Sequence, residues 1–177
     1  VIVPSERVKE PNPVTAIVAS TRKNPSFCMP PSVKSCNYLN NILARIEAIN
    51  ANADEAIMLD LRGYVVEGAA ENIFILKGKR LITPPLHAGA LQGITRLVVM
   101  EIASDLGVEV IERDLTAHEL YNADEAFITG TGSEIQPLVR IDGRIIGTGT
   151  VGPVTKTVLE QFKKETLRPE AGYDAYN

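Results

Sequence analysis

A chain of 177 residues with 45% hydrophobic and 23% charged side chains has the composition of a folded globular protein and room for one sizeable domain, or one domain and part of another. Its net charge of −4, with the basic residues scattered, argues against a nucleic-acid surface, which needs a concentrated cationic patch. No apolar run reaches the roughly 18 residues of a membrane span and nothing resembles a signal peptide, so the expectation is a cytoplasmic protein with neither nucleic-acid nor membrane partners.

The chain opens on Val1-Ile2-Val3-Pro4 instead of methionine and enters a strand-like stretch at once, as a processed or truncated chain would. Val14 to Ser20 is β-branched and apolar enough for a buried strand, and the proline-rich stretch Asn24 to Pro31 breaks the pattern. Between Tyr38 and Ala51 the apolar residues Leu39, Ile42, Leu43, Ile46 and Ile49 recur at helical spacing and predict an amphipathic helix. Short strand-like runs follow at Ala56 to Asp60, Tyr64 to Glu67, Asn72 to Leu76 and Arg80 to Thr83, separated by tight turns, which implies an antiparallel meander. A second helix is expected from Thr95 to Leu106, stopping at Gly107. Val108 to Ile111 and Ala126 to Thr129 read as strands around a helical turn at Thr116 to Tyr121, where Thr116 and Glu119 can form a capping box. Leu138 to Ile146 reads as a hairpin turning at Asp142-Gly143, and a last helix should start after Gly152-Pro153 and run to about Thr166. The sum is a mixed α/β (α+β) protein with a predominantly antiparallel sheet and packed helices.

Four features carry chemistry when taken together. Lys34 stands just ahead of the first helix, where the positive end of the helix dipole disfavours a cation. An ordinary surface lysine is the plain reading; an amine activated to attack an aldehyde is the functional one. Glu67 sits in a half-buried strand, so its carboxylate needs a partner, either a nearby lysine or arginine or a ligand's pyridinium nitrogen. Gly93-Ile94-Thr95 opens a helix whose free amides can seat a phosphate, although many helices begin this way. The turn Thr129-Gly130-Thr131-Gly132-Ser133 would let an anion approach the backbone, or is a plain loop. An amine, a carboxylate and two anion cradles are what pyridoxal phosphate requires. Cys28 and Cys36 lack the spacing of a zinc site, and free thiols are favoured over a disulfide in the cytosol. His87 and His118 suit surface or loop roles, and no metal site is expected.

The order and wording of these stretches resemble the fold-type IV pyridoxal-phosphate enzymes, and most closely the branched-chain amino acid aminotransferases. The resemblance rests on Lys34-Ser35-Cys36-Asn37-Tyr38-Leu39-Asn40-Asn41, on Gly63 through Phe74, on Leu91-Gln92-Gly93-Ile94-Thr95-Arg96, on Glu119 through Phe127, on Thr129 through Ile135, on Ile141-Asp142-Gly143 and on Gly152-Pro153-Val154-Thr155. It implies a fold like the large domain of D-amino acid aminotransferase-like enzymes, with residues 1–177 forming that single cofactor-binding domain and the family's smaller N-terminal domain absent. By the same resemblance Lys34 is the Schiff-base lysine and proton shuttle, Tyr38 bonds the cofactor's phenolic oxygen, and Glu67 holds its ring nitrogen. Leu91 packs on the ring face, Gly93, Ile94, Thr95 and Thr131 hold the phosphate, and Thr131 and Gly132 receive the substrate carboxylate. The implied reaction is transamination from a branched-chain L-amino acid to 2-oxoglutarate, in a homodimer, with amino acids and 2-oxo acids as substrates. The spacing of Lys34 and Tyr38, four residues apart, is similar to the D-amino acid aminotransferase branch. That branch, an aminodeoxychorismate lyase, and a non-catalytic fragment or assembly module are the rival readings.

Overall fold

A computed structural model describes residues 12–31 and 33–166; the strand-like opening at Val1 to Pro4 lies outside them. Strand β1 (Val14–Val18) and strand β2 (Glu55–Leu59) pair in parallel with Ala16 opposite Glu55. A parallel pair cannot be closed by a hairpin, and helix α1 (Leu39–Asn50) makes the crossover. Strand β3 (Val65–Gly68) returns antiparallel on β2. Strands β4 (Asn72–Lys77) and β5 (Arg80–Thr83) form a hairpin. Helix α2 (Ile94–Asp105) then crosses over to place β6 (Glu109–Glu112) parallel to β5. After the short helix α3 (Ala117–Tyr121), strand β7 (Glu125–Gly130) pairs antiparallel with both β4 and β8 (Glu134–Ile141). Strand β9 (Arg144–Ile145) folds back on β8, and helix α4 (Pro153–Glu165) ends the described chain.

The mixed α/β class and the preponderance of antiparallel pairing agree with the sequence, but the expected meander does not form. Among the described residues the sheet is nine-stranded in the order β3-β2-β1-β8-β7-β4-β5-β6, with β9 beside β8, so three strands separate β2 from β4. Residues 69–71 do not turn β3 back onto β4. Instead the sheet curls until its ends meet, where Val65 N–H donates to the Leu115 carbonyl at 2.7 Å and Tyr64 bridges Thr116. Strand β8 also begins earlier than expected. Pro137, which lacks an N–H, is tolerated because the β1 ladder starts one residue later, at Leu138.

Alternation along β4 feeds both faces of the sheet. Ile73 and Ile75 join Ile57, Val65, Leu115 and Ile128 in one cluster, whereas Phe74 and Leu76 join Phe127, Val99, Ile102 and Phe162 beneath α2 and α4. Phe74 and Phe127 stack with ring centroids 5.1 Å apart. Helix α1 contradicts the simple amphipathic expectation. Its buried side is the small one, Ala44 and Ala48, packed on Ala56 and Met58 of β2. Leu39, Ile42, Leu43, Ile46 and Ile49 face outward and are 45–65% exposed. Periodicity marked the helix but not which face meets the sheet.

The caps follow the sequence closely. Thr116 and Glu119 form the reciprocal capping box of α3, and Asp142 and Gly143 both take positive φ, as a two-residue hairpin turn demands. Helix α4 is capped from a distance. The buried Glu125 carboxylate accepts from the amides of Val154 (3.1 Å) and Thr155 (2.7 Å) and from the Thr155 hydroxyl (2.6 Å). A β-carbon at Gly152 would lie 2.0 Å from that carboxyl carbon, which is why glycine precedes Pro153. Replacing Glu125 by Ala strands buried donors at the positive end of α4. The expected loss is about 3 kcal/mol of unfolding free energy, measured by urea denaturation.

Candidate functional site

Glu67 is the centre of the site. It lies on β3, is buried, and spends its oxygens on three donors from three different segments. Lys23 Nζ approaches Oε1 at 2.5 Å, while Asn72 Nδ2 (3.1 Å) and the Leu91 amide (2.9 Å) donate to Oε2. Asn72 Nδ2 also donates to the Leu91 carbonyl at 2.8 Å, tying β4 to the segment ahead of α2. Its Oδ1 packs so closely on Gly93 that a β-carbon there would stand 2.2 Å away. Thus the glycine that opens α2 is required first by Asn72. A carboxylate offers about four lone-pair positions, so Glu67 keeps one for a further donor.

Lys34, Tyr38, Glu67 and Leu91 line one cavity, together with Lys23 and Asn72. The sequence placed the first four in one site, and the fold brings them together. Lys34 is exposed, and its ammonium has no hydrogen-bond or ion-pair partner among the described residues. Tyr38 occupies the N-cap of α1 and donates its hydroxyl to the Ala69 carbonyl at 2.8 Å, which Asn41 Nδ2 also reaches at 2.6 Å. Burial raises the Tyr38 phenol above its ordinary range, and the carboxylates of Glu67, Glu71 and Glu55 push the same way, against the hydrogen bond with Asn41.

The remaining predicted residues gather on the far side of Gly93. Ile94 and Thr95, in the first turn of α2, share a second depression with Thr131. Thr131 and Gly132 are exposed at the tip of the β7–β8 hairpin, closed by the pairing of Gly130 with Glu134. Beneath this tip, Glu71 Oε2, Thr129 Oγ1 and Ser133 Oγ are buried without a hydrogen-bond partner among the described residues. A β-carbon at Gly130 would meet Ser133 Oγ at 2.8 Å and Glu71 Cγ at 3.4 Å, so the orphaned groups of Glu71 and Ser133 flank one backbone position.

Sequence reasoning missed two features. Lys23 lies in the polar stretch Arg22-Lys23-Asn24, like any loop lysine. The only signal for it was that a buried carboxylate needs a partner. The second feature is the carboxyl pair of Glu55 and Glu71. Glu55 accepts from the amides of Ala56 (2.7 Å) and Ala69 (3.0 Å), with Arg45 at 3.5 Å. Glu71 is raised to about 8, first by burial and then by the hydrogen bond and charge of Glu55, with Arg45 and the Ala70 amide opposing. Because the folded chain keeps the Glu71 proton while the unfolded chain, at an ordinary 4.5, loses it, stability falls as pH rises between those values and levels off above the upper one. Glu71→Gln, which cannot ionise, should gain stability relative to the parent from pH 5 to pH 9. Chemical denaturation at several pH values measures this, and a constant difference would refute the raised carboxyl.

The model of the amino-transferase class IV family matches residues 3–141. The chain belongs to that family. A branched-chain aminotransferase of Thermoproteus uzoniensis, solved with norvaline, superposes with a TM-score of 0.85 at 45% identity, over 89% of this chain and 52% of that one. The branched-chain amino acid aminotransferase of Thermobaculum terrenum, solved in its holo form with pyridoxal phosphate, gives a TM-score of 0.87 at 35% identity, over 90% and 53%. The branched-chain-amino-acid aminotransferase of Pseudomonas aeruginosa is 44% identical over 142 residues, 80% of this chain and 46% of that protein. The chain therefore spans about half the length of these family members.

Proposed function

We propose that residues 1–177 form the cofactor-binding large domain of a pyridoxal-phosphate-dependent aminotransferase that moves the amino group of a branched-chain L-amino acid to 2-oxoglutarate. The observation that carries this reading is the shared cavity: a lysine amine without a partner among the described residues, Lys34, opens onto the same space as a buried, triply hydrogen-bonded carboxylate, Glu67. These residues fit the cofactor. Glu67 retains an acceptor position for a ring N–H, Lys34 has no competing partner among the described residues, and the hydroxyls of Thr129 and Ser133, unpaired among those residues, underlie the Thr131 turn, where an anion would sit.

Pyridoxal phosphate, when bound, supplies an electron sink for the substrate's α-carbon. The chain's own residues supply attachment, orientation and proton transfer. Lys34 Nζ would anchor the cofactor covalently and, once displaced by the substrate's own amine, would be the base placed to carry the α-proton. Glu67 would hold the ring nitrogen in its protonated form. The Tyr38 hydroxyl, which donates to the Ala69 carbonyl, would be the group to bond the cofactor's phenolic oxygen, and Leu91 would pack against its ring. The α2 start at Gly93, Ile94 and Thr95, with Thr131, would seat the phosphate, and the backbone of Thr131 and Gly132 would receive the substrate carboxylate. Lys23, the other amine in the cavity, donates to Glu67 and so is not the free nucleophile.

Branched-chain specificity is supported by the names of the relatives and solved structures. A homodimer accords with the outward apolar side of α1, and a cytoplasmic setting with two exposed, unpaired cysteines, Cys28 and Cys36. Among the described residues no helix is long and apolar enough to cross a membrane.

The test uses the full-length protein. Borohydride reduction in the presence of pyridoxal phosphate, followed by peptide mapping, should place the adduct on Lys34, and an adduct elsewhere rejects the assignment. Glutamate formation from L-leucine and 2-oxoglutarate should fall by about 1,000-fold or more in Lys34→Ala. Preference for D-leucine would favour the D-amino acid branch, with which the Lys34–Tyr38 spacing agrees; pyruvate release without an amino acceptor would favour the lyase.

A further inference from the structure

We propose that Lys23 is a positioning residue: its ammonium is the permanent counter-ion of Glu67, fixing the orientation of that carboxylate and tempering its charge toward a cofactor ring nitrogen. The inference rests on the reading of Glu67 given above.

The geometry distinguishes a built-in partner from a passing contact. The side chains of Lys23 and Glu67 are 12% and 8% exposed and meet at 2.5 Å. In such a setting the attraction between unlike charges is much less screened than at a surface, and removing one partner leaves the other buried and uncompensated. Lys23 is also held along its length. Its amide donates to the Leu59 carbonyl at the end of β2 (2.9 Å), and its Cγ would stand 3.7 Å from a β-carbon at Gly89. The ammonium therefore arrives from a tethered backbone through a packed stem. It takes Oε1, leaving Oε2 to Asn72 and Leu91, so every donor to Glu67 is fixed by a different segment of the fold.

The consequence is electrostatic. The charged and titratable groups around Glu67 are Lys23 from the segment after β1, Lys34 and Tyr38 from the approach to α1, Glu55 from β2 and Glu71 from the β3–β4 connection. Of the three carboxyl groups Glu67 alone lines the cavity, while Glu55 and Glu71 act on Tyr38 from behind it and Arg45 stands 3.5 Å from Glu55. Lys23 is the cation among these groups that contacts Glu67. Removing it makes the surroundings more negative, and a proton on any nearby ligand nitrogen becomes harder to lose. A placeholder lysine that left when cofactor arrived would have no such effect on the loaded protein.

Two measurements test this. Unfolding of the cofactor-free protein is compared in the parent, Lys23→Met, Glu67→Gln and the double variant. Lys23→Met should lower the unfolding midpoint, and adding Glu67→Gln should recover much of the loss. Strictly additive effects would overturn the pairing. The full-length protein is then loaded with pyridoxal phosphate and the pH midpoint of its long-wavelength absorbance is recorded. The midpoint should rise by about one pH unit in Lys23→Met and stay within a few tenths of the parent in Lys23→Arg. An unmoved midpoint in Lys23→Met overturns the positioning role even if the unfolding effects are coupled. A parent that takes up no pyridoxal phosphate defeats the functional reading and the cofactor-directed part of this one, whereas the unfolding comparison reports on the ion pair independently.

Discussion

A buried carboxylate must be given donors by the fold, and here that demand organises the molecule around Glu67. Its partners come from the segment following β1, from β4 and from the stretch leading into α2. Each contact is therefore also a tether between elements distant in sequence. Asn72 shows the economy of the arrangement, since one side-chain amide satisfies Glu67 and the Leu91 carbonyl while its oxygen dictates glycine at the start of α2. The residues that would hold an aromatic ring and those that would hold its anionic tail are linked through this single asparagine.

The same logic recurs at the other helix start. Glu125 reaches from β7 to the first amides of α4 much as the cluster around Asn72 reaches the first turn of α2. In both cases a polar side chain from the sheet occupies the space where a β-carbon would be. The difference lies in satisfaction. Glu125 uses up the free amides of α4, whereas the start of α2 faces an open depression shared with Thr131, beside buried oxygens that lack partners among the described residues. One helix start is closed by the fold and the other is left open.

Much of this was legible in the sequence because motifs in fixed order constrain each other. Lys34, Tyr38, Glu67 and Leu91 do fall around one cavity, and the cap at Thr116 and the turn at Asp142-Gly143 are local events fixed by local residue types. What escaped was long-range. The strands from β2 to β5 read as neighbours because turn signals report where a chain bends and not which edge it rejoins. The apolar side of α1 read as inward because periodicity cannot see that Ala44 and Ala48 give the closer approach to β2. Lys23 was hidden for the same reason: its significance lies wholly in a partner 44 positions away.

The seam joining the two ends of the sheet also bears on how the chain acquires its shape. Glu67 stands two residues from Val65, whose amide finds its acceptor only at Leu115. That closure spans a long loop, and non-local contacts of this kind are formed late because the intervening chain must first be ordered. During synthesis the Val65 amide, two residues from the carboxylate, therefore gains its acceptor on this seam only once Leu115 has emerged.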